Sequence, residues 1–498
     1  MSSKISYSMF YLMLFIISAC TRPVDNGQDY NIEDMFNPGP ELDPEDIFNP
    51  IQVLEYHVTI AESDWEHIEE HGLDEEYRPA ELQVKGYKVD EQVGHIGFRH
   101  KGAIGTLFNC WQSAQETSTS TAATTEQQEL VRIRDSYCAK LSYKFKFDLY
   151  DENKRFAKLK RLNLHAHLSE TTWLRDLLSY QLFNDFGVIA PRAVPAKLFI
   201  NGQLMGLFIA IEEIDGRFTH FRFPKPGDGN LYKEIWPNPK VYYLPNQQGV
   251  NPDYISSIRT ALTTNEDEGD ISDFTKMTVA LNKVSAETFA TDMAAWLNID
   301  ELLRYIAVDR AIKNWDGFTA WYTCALPDCV AMSCHNVYWY HDDGTESRFH
   351  LIPWDLDNAL VEHDPYIDPQ IGWGAASPIP NWNVKPASCE PITAWLDDAE
   401  LTYLVPSGCD KLINLLAATR WQRFVEISQE LMALIDQKVL QAKLDKWATL
   451  IEPIIIEDPY VDAEVWQQER EYLRNTILPK LVTDFQVMLQ QGYIDQTQ

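Results

Sequence analysis

Basic residues are scarce in this chain: 42 Lys and Arg stand against 74 Asp and Glu, a formal net charge of −32. So acidic a balance argues against a nucleic-acid partner, because phosphate backbones select basic surfaces. A nucleotide ligand, which needs only a few local cations and a metal, stays admissible. Long apolar runs are missing after the first twenty residues, and no later segment approaches the length a membrane span needs. What the chain has in quantity is core material. Its 498 residues are 45% hydrophobic and 12% aromatic, enough for a large core and one or two domains.

The first residues read as an export signal. Lys4 supplies a positive region, Tyr7 to Ala19 is uncharged and largely apolar, and Ile17-Ser18-Ala19-Cys20 matches the lipobox of bacterial lipoproteins. The expectation is a signal peptide over 1–19 and a lipid on Cys20 that anchors the exported chain to the envelope membrane. Thr21, in place of an acidic residue, leans toward the outer membrane where the cell has one. Export permits disulfides. Of the other seven cysteines, loop proximity suggests Cys110–Cys138 and Cys389–Cys409, plus one bond within Cys324, Cys329 and Cys334; for that cluster, with His335, a zinc reading also stands open.

Residues 20–50 are acidic and rich in Pro and Asn, with a doubled Glu-Asp-x-Phe-Asn-Pro phrase at 33–38 and 45–50, as a flexible tether would be. From Val53 onward apolar and polar residues alternate as in strands, again over Glu81–Arg99 and in Ser142–Leu149. Ser113–Thr125 is a Ser/Thr-rich, low-complexity insert. Thr171–Phe186 has helical spacing, with Gly187 placed to end it. Two hairpins are marked by Asn201-Gly202 and Asp343-Gly344, and amphipathic helices are expected from Asp410 to about Gln490. A β-rich 51–215 followed by a mainly helical 216–498 predicts a two-lobed α+β architecture.

Two carboxylate motifs stand out. Asn314-Trp315-Asp316-Gly317 closes a helix expected over Ile299–Ile312, and Pro353-Trp354-Asp355-Leu356-Asp357 follows the second hairpin. Asp355 and Asp357, two apart on what reads as a strand end, would face the same way and share a metal. Loop acids carrying caps and solvated charge are the plainer alternative, but Leu351, Ile352, Trp354 and Leu356 hold these acids against a core.

The ordered set then resembles a known family. Lys140-Leu-Ser-Tyr-Lys-Phe-Lys-Phe-Asp148 is followed by Leu162-Asn163-Leu164, Arg175-Asp176, Ala190-Pro191-Arg192 and Phe199-Ile200-Asn201-Gly202. Gly206-Leu207-Phe208, Glu213-Ile214-Asp215, Gly229-Asn230-Leu231-Tyr232-Lys233 and the two acid motifs complete it. From about Val53 to Leu360, with the helical tail, this succession is similar to the CotH (spore-coat protein H) family of atypical kinases. The resemblance implies a two-lobed protein-kinase-like fold that transfers phosphoryl from ATP, with Mg²⁺ or Mn²⁺, to Ser or Thr of a protein substrate. It implies Asp316 as the hydroxyl-orienting base and Asn336, Asp355 and Asp357 as metal ligands. It further implies Lys146 as the phosphate lysine, Arg175-Asp176 as its partner, Glu213 at the adenine hinge and Lys233 as a second phosphate lysine. Arg99-His100-Lys101-Gly102 with Gly105 would cover the phosphates.

Two departures stand against the pattern: the Ser/Thr-rich insert interrupts the glycine loop, and an insert over 318–334 carries the clustered cysteines where peptide would approach. A lipid-anchored chain also works in a compartment poor in ATP. The competing reading is a catalytically silent surface-binding, adhesion or envelope structural protein on the same fold. Retention of Asp316, Asn336, Asp355 and Asp357 together favours catalysis.

Overall fold

Alternation of large apolar and polar residues builds seven strands that close on themselves. A computed structural model describes residues 42–498 except 103–106, 108–109, 114–129, 134–137, 168–169, 224–226, 239–253, 324–333, 345, 363–379 and 398–399. Outside the described residues therefore lie the signal segment, Cys20, most of the tether, Gly105, the body of the Ser/Thr-rich insert, and Cys324 and Cys329.

The barrel strands are β1 (Leu54–Ile60), β2 (Arg78–Gly86) and β3 (Val89–His100), then, past the short pair β4 (Trp111–Ser113) and β5 (Leu130–Arg132), β6 (Tyr143–Lys146), β7 (Arg161–His165), β8 (Ala193–Ile200) and β9 (Gln203–Glu212). Their order is β1-β2-β3-β6-β7-β9-β8. Every pair is antiparallel except the closing one, where β1 runs parallel to β8 with Tyr56 opposite Leu198. Leu54, Tyr56, Val58 and Ile60 are buried at alternate positions of β1. Phe98 and Phe145, paired across β3 and β6, stack with ring centres 5.4 Å apart, and Tyr56 stacks on Phe145 at 5.9 Å. The β8–β9 hairpin turns on Asn201 (φ 49°) and Gly202 (φ 79°), both left-handed as the Asn-Gly pair predicts.

Helix α1 (Glu62–Glu70) follows β1, and α2 (Arg175–Asp185) precedes β8 and packs on it; Gly187 ends α2 at φ 75°. The helical part holds α3 (Gly216–Arg222), α4 (Tyr254–Ala261), α5 (Ser272–Lys283), α6 (Ile299–Ala311), α7 (Lys411–Leu431), α8 (Gln437–Glu457), α9 (Ala463–Tyr472) and α10 (Leu478–Gln491). Asp410, Asp436 and Asp462 cap the first turns of α7, α8 and α9 by accepting from two backbone N–H groups each. Helix α8 packs on β9. At its end Asp458 accepts from Lys140 Nζ (2.7 Å) and Leu207 N (2.7 Å), and a Cβ on Gly206 (φ 91°) would meet its carboxylate at 2.0 Å, so only glycine admits that contact.

Between the helices, β10 (Asn230–Lys233), β12 (Val337–His341) and β13 (Phe349–Pro353) form a three-stranded sheet; the short β11 (Tyr322–Thr323) pairs elsewhere. Disulfides join Cys110 to Cys138 and Cys389 to Cys409, the two pairs that loop proximity suggests. No helix among the described residues is long and apolar enough to cross a membrane. The fold is mixed α and β, and its β-rich half closes into a barrel, which the strand patterns do not announce. Residues 44–498 form one compact unit.

Candidate active site

The site gathers at the ends of β6, β7, β9, β10 and β13 and at the turn after α6. That turn stands on buried groups. Asp309, fully buried near the end of α6, accepts from Asn314 Nδ2 (3.0 Å), Thr319 Oγ1 (3.1 Å) and Arg310 Nε (3.1 Å), while Arg310 also donates to the Asn314 carbonyl. Asn314 then accepts from the Asp316 amide at 3.4 Å. A Cβ on Gly317 would lie 2.2 Å from Asn314 Nδ2, so the glycine of the motif makes room for the asparagine that shapes it.

Asp316 is only 9% exposed. Its Oδ2 accepts from Asn336 Nδ2 (3.0 Å) and Asn358 Nδ2 (3.1 Å), and its Oδ1 accepts from the Tyr322 hydroxyl. Burial, with the charges of Asp355 and Glu234, outweighs these donors and pushes the carboxyl up from 3.8 to about 7. A buried acid poised near neutrality is suited to take or hold a proton at physiological pH.

Asp355 approaches from the other side. Strand β13 ends at Pro353, and the Trp354 amide donates to the Asn336 carbonyl at 2.9 Å, which ties the two loop entries together. The strand-end reading of Asp355 and Asp357 is therefore corrected. Asp355 has φ 50°, as Asn336 has φ 54°, so strand alternation does not align the two acids; a left-handed bend turns them in. Asp355 is 38% open to solvent and lies 3.7 Å from His165 Nδ1. Burial raises its pKa, and Lys101 and Lys233 oppose that rise. For Asp357, burial and the charges of Asp355, Asp316 and Glu170 drive the pKa well up.

Three cations face these acids. Lys101, just past β3, is half-buried with Nζ 2.8 Å from His165 Nε2 and 5.1 Å from the centre of the Trp354 ring. Burial lowers its pKa against the pull of Asp355, and burial with the charge of Lys101 keeps His165 neutral, so Nε2 accepts. Lys144, on β6, donates to Glu213 Oε1 at 2.6 Å. Glu213 Oε2 accepts from Asn163 Nδ2 at 2.6 Å; burial would raise this carboxyl, yet Lys144 and Asn163 hold it at about 2. Lys233, at the end of β10, is half-exposed with Glu234 Oε1 at 3.8 Å.

Of the residues singled out from the sequence, Asp316, Asn336, Asp355, Asp357 and Lys233 come together here. Lys146 does not. Its ammonium lies 5.8 Å over the Tyr77 ring, two residues farther along β6, and Lys144 occupies the inner position. Among the described residues the Arg175-Asp176 pair meets no lysine: Asp176 accepts from the Leu356 amide (3.0 Å), and Arg175 Nη1 donates to the carbonyls of Ala359 (2.9 Å) and Leu360 (2.7 Å), with its Nε 3.3 Å from Glu170. The Glu213 side chain is the partner of Lys144, a role the sequence reading did not assign it. Of the proposed phosphate-covering segment, Arg99 pairs with Glu75 (2.7 Å) and His100 with Glu69 (3.2 Å), away from the acids; Lys101 reaches them. Sequence reasoning missed Lys144 because it shares a strand face with Lys146, and His165 because a lone histidine in a strand carries no signal.

Among the described residues no three His, Cys, Asp or Glu side chains gather tightly enough to hold a metal by themselves. Mg²⁺ asks for less: one or two carboxylates, with the other positions filled by water and phosphate. Asp355 and Asp357 with Asn336 meet that requirement. Burial lifts the pKa of both acids, and Asp357 also stands against the charge of Asp355; a divalent cation would relieve both costs, and Lys101, Lys144 and Lys233 offer the charge a polyphosphate needs. The residues present fit a metal–nucleotide ligand.

The comparisons agree with the geometry. A family described as CotH kinase protein matches residues 133–481, well over half of the chain and all of the site except Lys101. Inner spore coat protein H of Bacillus subtilis (strain 168) is 23% identical over 205 residues, 41% of this chain and 51% of that protein. The chain thus spans about half the length of the curated relative it matches.

Proposed function

The chain belongs to the CotH kinase protein family, and from that premise we propose that it is a metal- and ATP-dependent phosphotransferase acting on Ser or Thr of exported or surface proteins. The observation that carries this reading is the meeting of Asp316, buried and lifted to about 7, with Asp355 and Asn336 across from three lysines. The barrel half would serve as the N-terminal lobe and residues 216–498 as the C-terminal lobe of a kinase-like body.

Bound metal–ATP supplies the electrophilic phosphorus and the charge relief at its oxygens. Asp355, Asp357 and Asn336 would hold the metal. Lys101, Lys144 and Lys233 would neutralise the phosphates, with Glu213 and Asn163 fixing Lys144 and His165 fixing Lys101. Asp316 would orient the acceptor hydroxyl and take its proton on Oδ1 or Oδ2, a role that requires the carboxylate form. Its hydrogen bonds from Asn336 and Asn358 keep it aimed. A lipid on Cys20 would hold the enzyme at the envelope, close to exported substrates.

A nucleotide-dependent rise in melting temperature tests the reading. ATP with Mg²⁺ or Mn²⁺ should raise it in the wild type and not in Asp355→Ala. No rise in either sample overturns the ligand assignment.

A further inference from the structure

The bend that turns Asp355 into the site is held from outside it. Asp355 (φ 50°) and Leu360 (φ 54°) both sit in the left-handed region without being glycine, a conformation that persists only where surrounding contacts over-determine it. On one side those contacts come from a single helix. On α2, Tyr180 Oη accepts from the Asp355 amide (3.0 Å), and Asp176 Oδ1 accepts from the Leu356 amide (3.0 Å). The residue before Asp176, Arg175, donates from Nη1 to the carbonyls of Ala359 and Leu360. Four anchor points on a six-residue loop, two at each end, are thus met by three side chains within six residues of helix.

The helix that carries them is fixed in turn. Gln181 Oε1 accepts from Trp447 Nε1 (2.8 Å), and Asp185 pairs with Lys443 (2.5 Å), both on α8. Tyr180 and Asp176 are buried to 1% exposure or less. From the far side, the Leu360 amide donates to the Ile312 carbonyl (2.6 Å) at the end of α6, and Asn358 donates to Asp316. The loop is therefore stretched between the helix that clamps it and the turn that carries Asp316.

We infer that Arg175, Asp176 and Tyr180 are positioning residues: together they clamp the Asp355–Leu360 backbone in the one bend that aims Asp355 and Asp357 at a shared metal. Asp176 meets the backbone between the two acids without being one of the ligands assigned above. Its Oδ1 is committed to Leu356, and its Oδ2 faces His167 Nε2 (3.3 Å) and His165 Nδ1 (3.7 Å). None of the three needs to touch substrate. Their effect passes through the loop, which makes the clamp a deepening of the metal assignment proposed above and dependent on it for its consequence, though not for its existence.

The test uses the full chain with Mn²⁺ alone as probe, followed by its electron paramagnetic resonance signal, and hydrogen exchange of the 355–360 amides. Tyr180→Phe keeps the buried ring and removes only the acceptor for the Asp355 amide. Exchange protection at 355 and 356 should fall in this variant while the helices keep theirs, and Mn²⁺ should bind about ten-fold more weakly, the loss typical of an outer-shell partner. Arg175→Gln should loosen 359 and 360 and weaken Mn²⁺ in the same sense; Arg175→Lys, which keeps one donor, should recover part of both. Asp355→Asn is the reference. Unchanged protection in Tyr180→Phe and Arg175→Gln overturns the clamp. So does unchanged Mn²⁺ affinity in both, provided Asp355→Asn weakens it. Should Asp355→Asn leave Mn²⁺ binding unaltered, the metal assignment falls, and loop exchange alone decides whether the clamp exists.

Discussion

Asp316→Asn separates the two things the buried carboxyl does. The folded protein lifts this acid from 3.8 to about 7, so it holds the proton more tightly than the unfolded chain does. Stability from that protonated carboxyl is complete below about pH 3.8 and is lost as pH rises through about 7. The full loss is about 4 kcal/mol, of which more than half falls between pH 5 and pH 8. An asparagine stays neutral throughout. Its amide oxygen can accept from Asn336 and Asn358 while its NH₂ donates to the Tyr322 hydroxyl, so no buried partner is orphaned. The variant should therefore gain on the wild type with pH, by about 3 °C in melting temperature between pH 5 and pH 8 for a folded unit of this size. Catalysis should move the opposite way. Wild-type kcat/KM should rise with pH through about 7, and the variant should be slower by about 10²–10⁴-fold with that rise abolished. Thermal melts at pH 5 and pH 8, read as the difference between the two proteins, check the first part. A difference that stays constant across that range would refute the buried, proton-holding Asp316.

The other predictions are simpler. Lys144→Met should abolish ATP-dependent stabilisation and, by removing the cation paired with the largely buried Glu213, cost about 3 kcal/mol of stability; Lys146→Met should do neither, and calorimetry of the two variants side by side distinguishes them. Cys20 should carry a diacylglyceryl group in protein expressed in a bacterium that processes lipoproteins, with mass spectrometry as the check, and Cys20→Ser should release the chain from the membrane fraction.

Local chemistry was readable in the sequence where local chemistry decides. Asn201-Gly202 and Asp343-Gly344 marked their hairpins, Gly187 the end of α2, and loop proximity two disulfides. The acids of the site were legible because the apolar residues around Asp355 hold them against a core, as the burial of Leu351, Ile352, Trp354 and Leu356 bears out, although Asp355 itself lies past the strand end. Three features were not. The barrel closes through a parallel pairing of β1 with β8, some 140 residues apart, and nothing in either strand states its partner. Lys144 and Lys146 share a strand face, so only the course of β6 across the barrel decides which reaches Glu213. Arg175-Asp176 read as the partner of the phosphate lysine, whereas the Arg175 guanidinium is spent on the carbonyls of a loop 184 residues later. Each of these depends on long-range packing, to which periodicity is blind.

The account turns on phosphoryl transfer at Asp316 and Asp355. The direct measurement incubates the full chain, and its Asp316→Ala and Asp355→Ala variants, with γ-labelled ATP, Mg²⁺ or Mn²⁺ and a Ser/Thr-rich acceptor protein. Label on Ser or Thr in the wild type and in neither variant is the predicted result. Label equal in all three, or absent from all three, would contradict it.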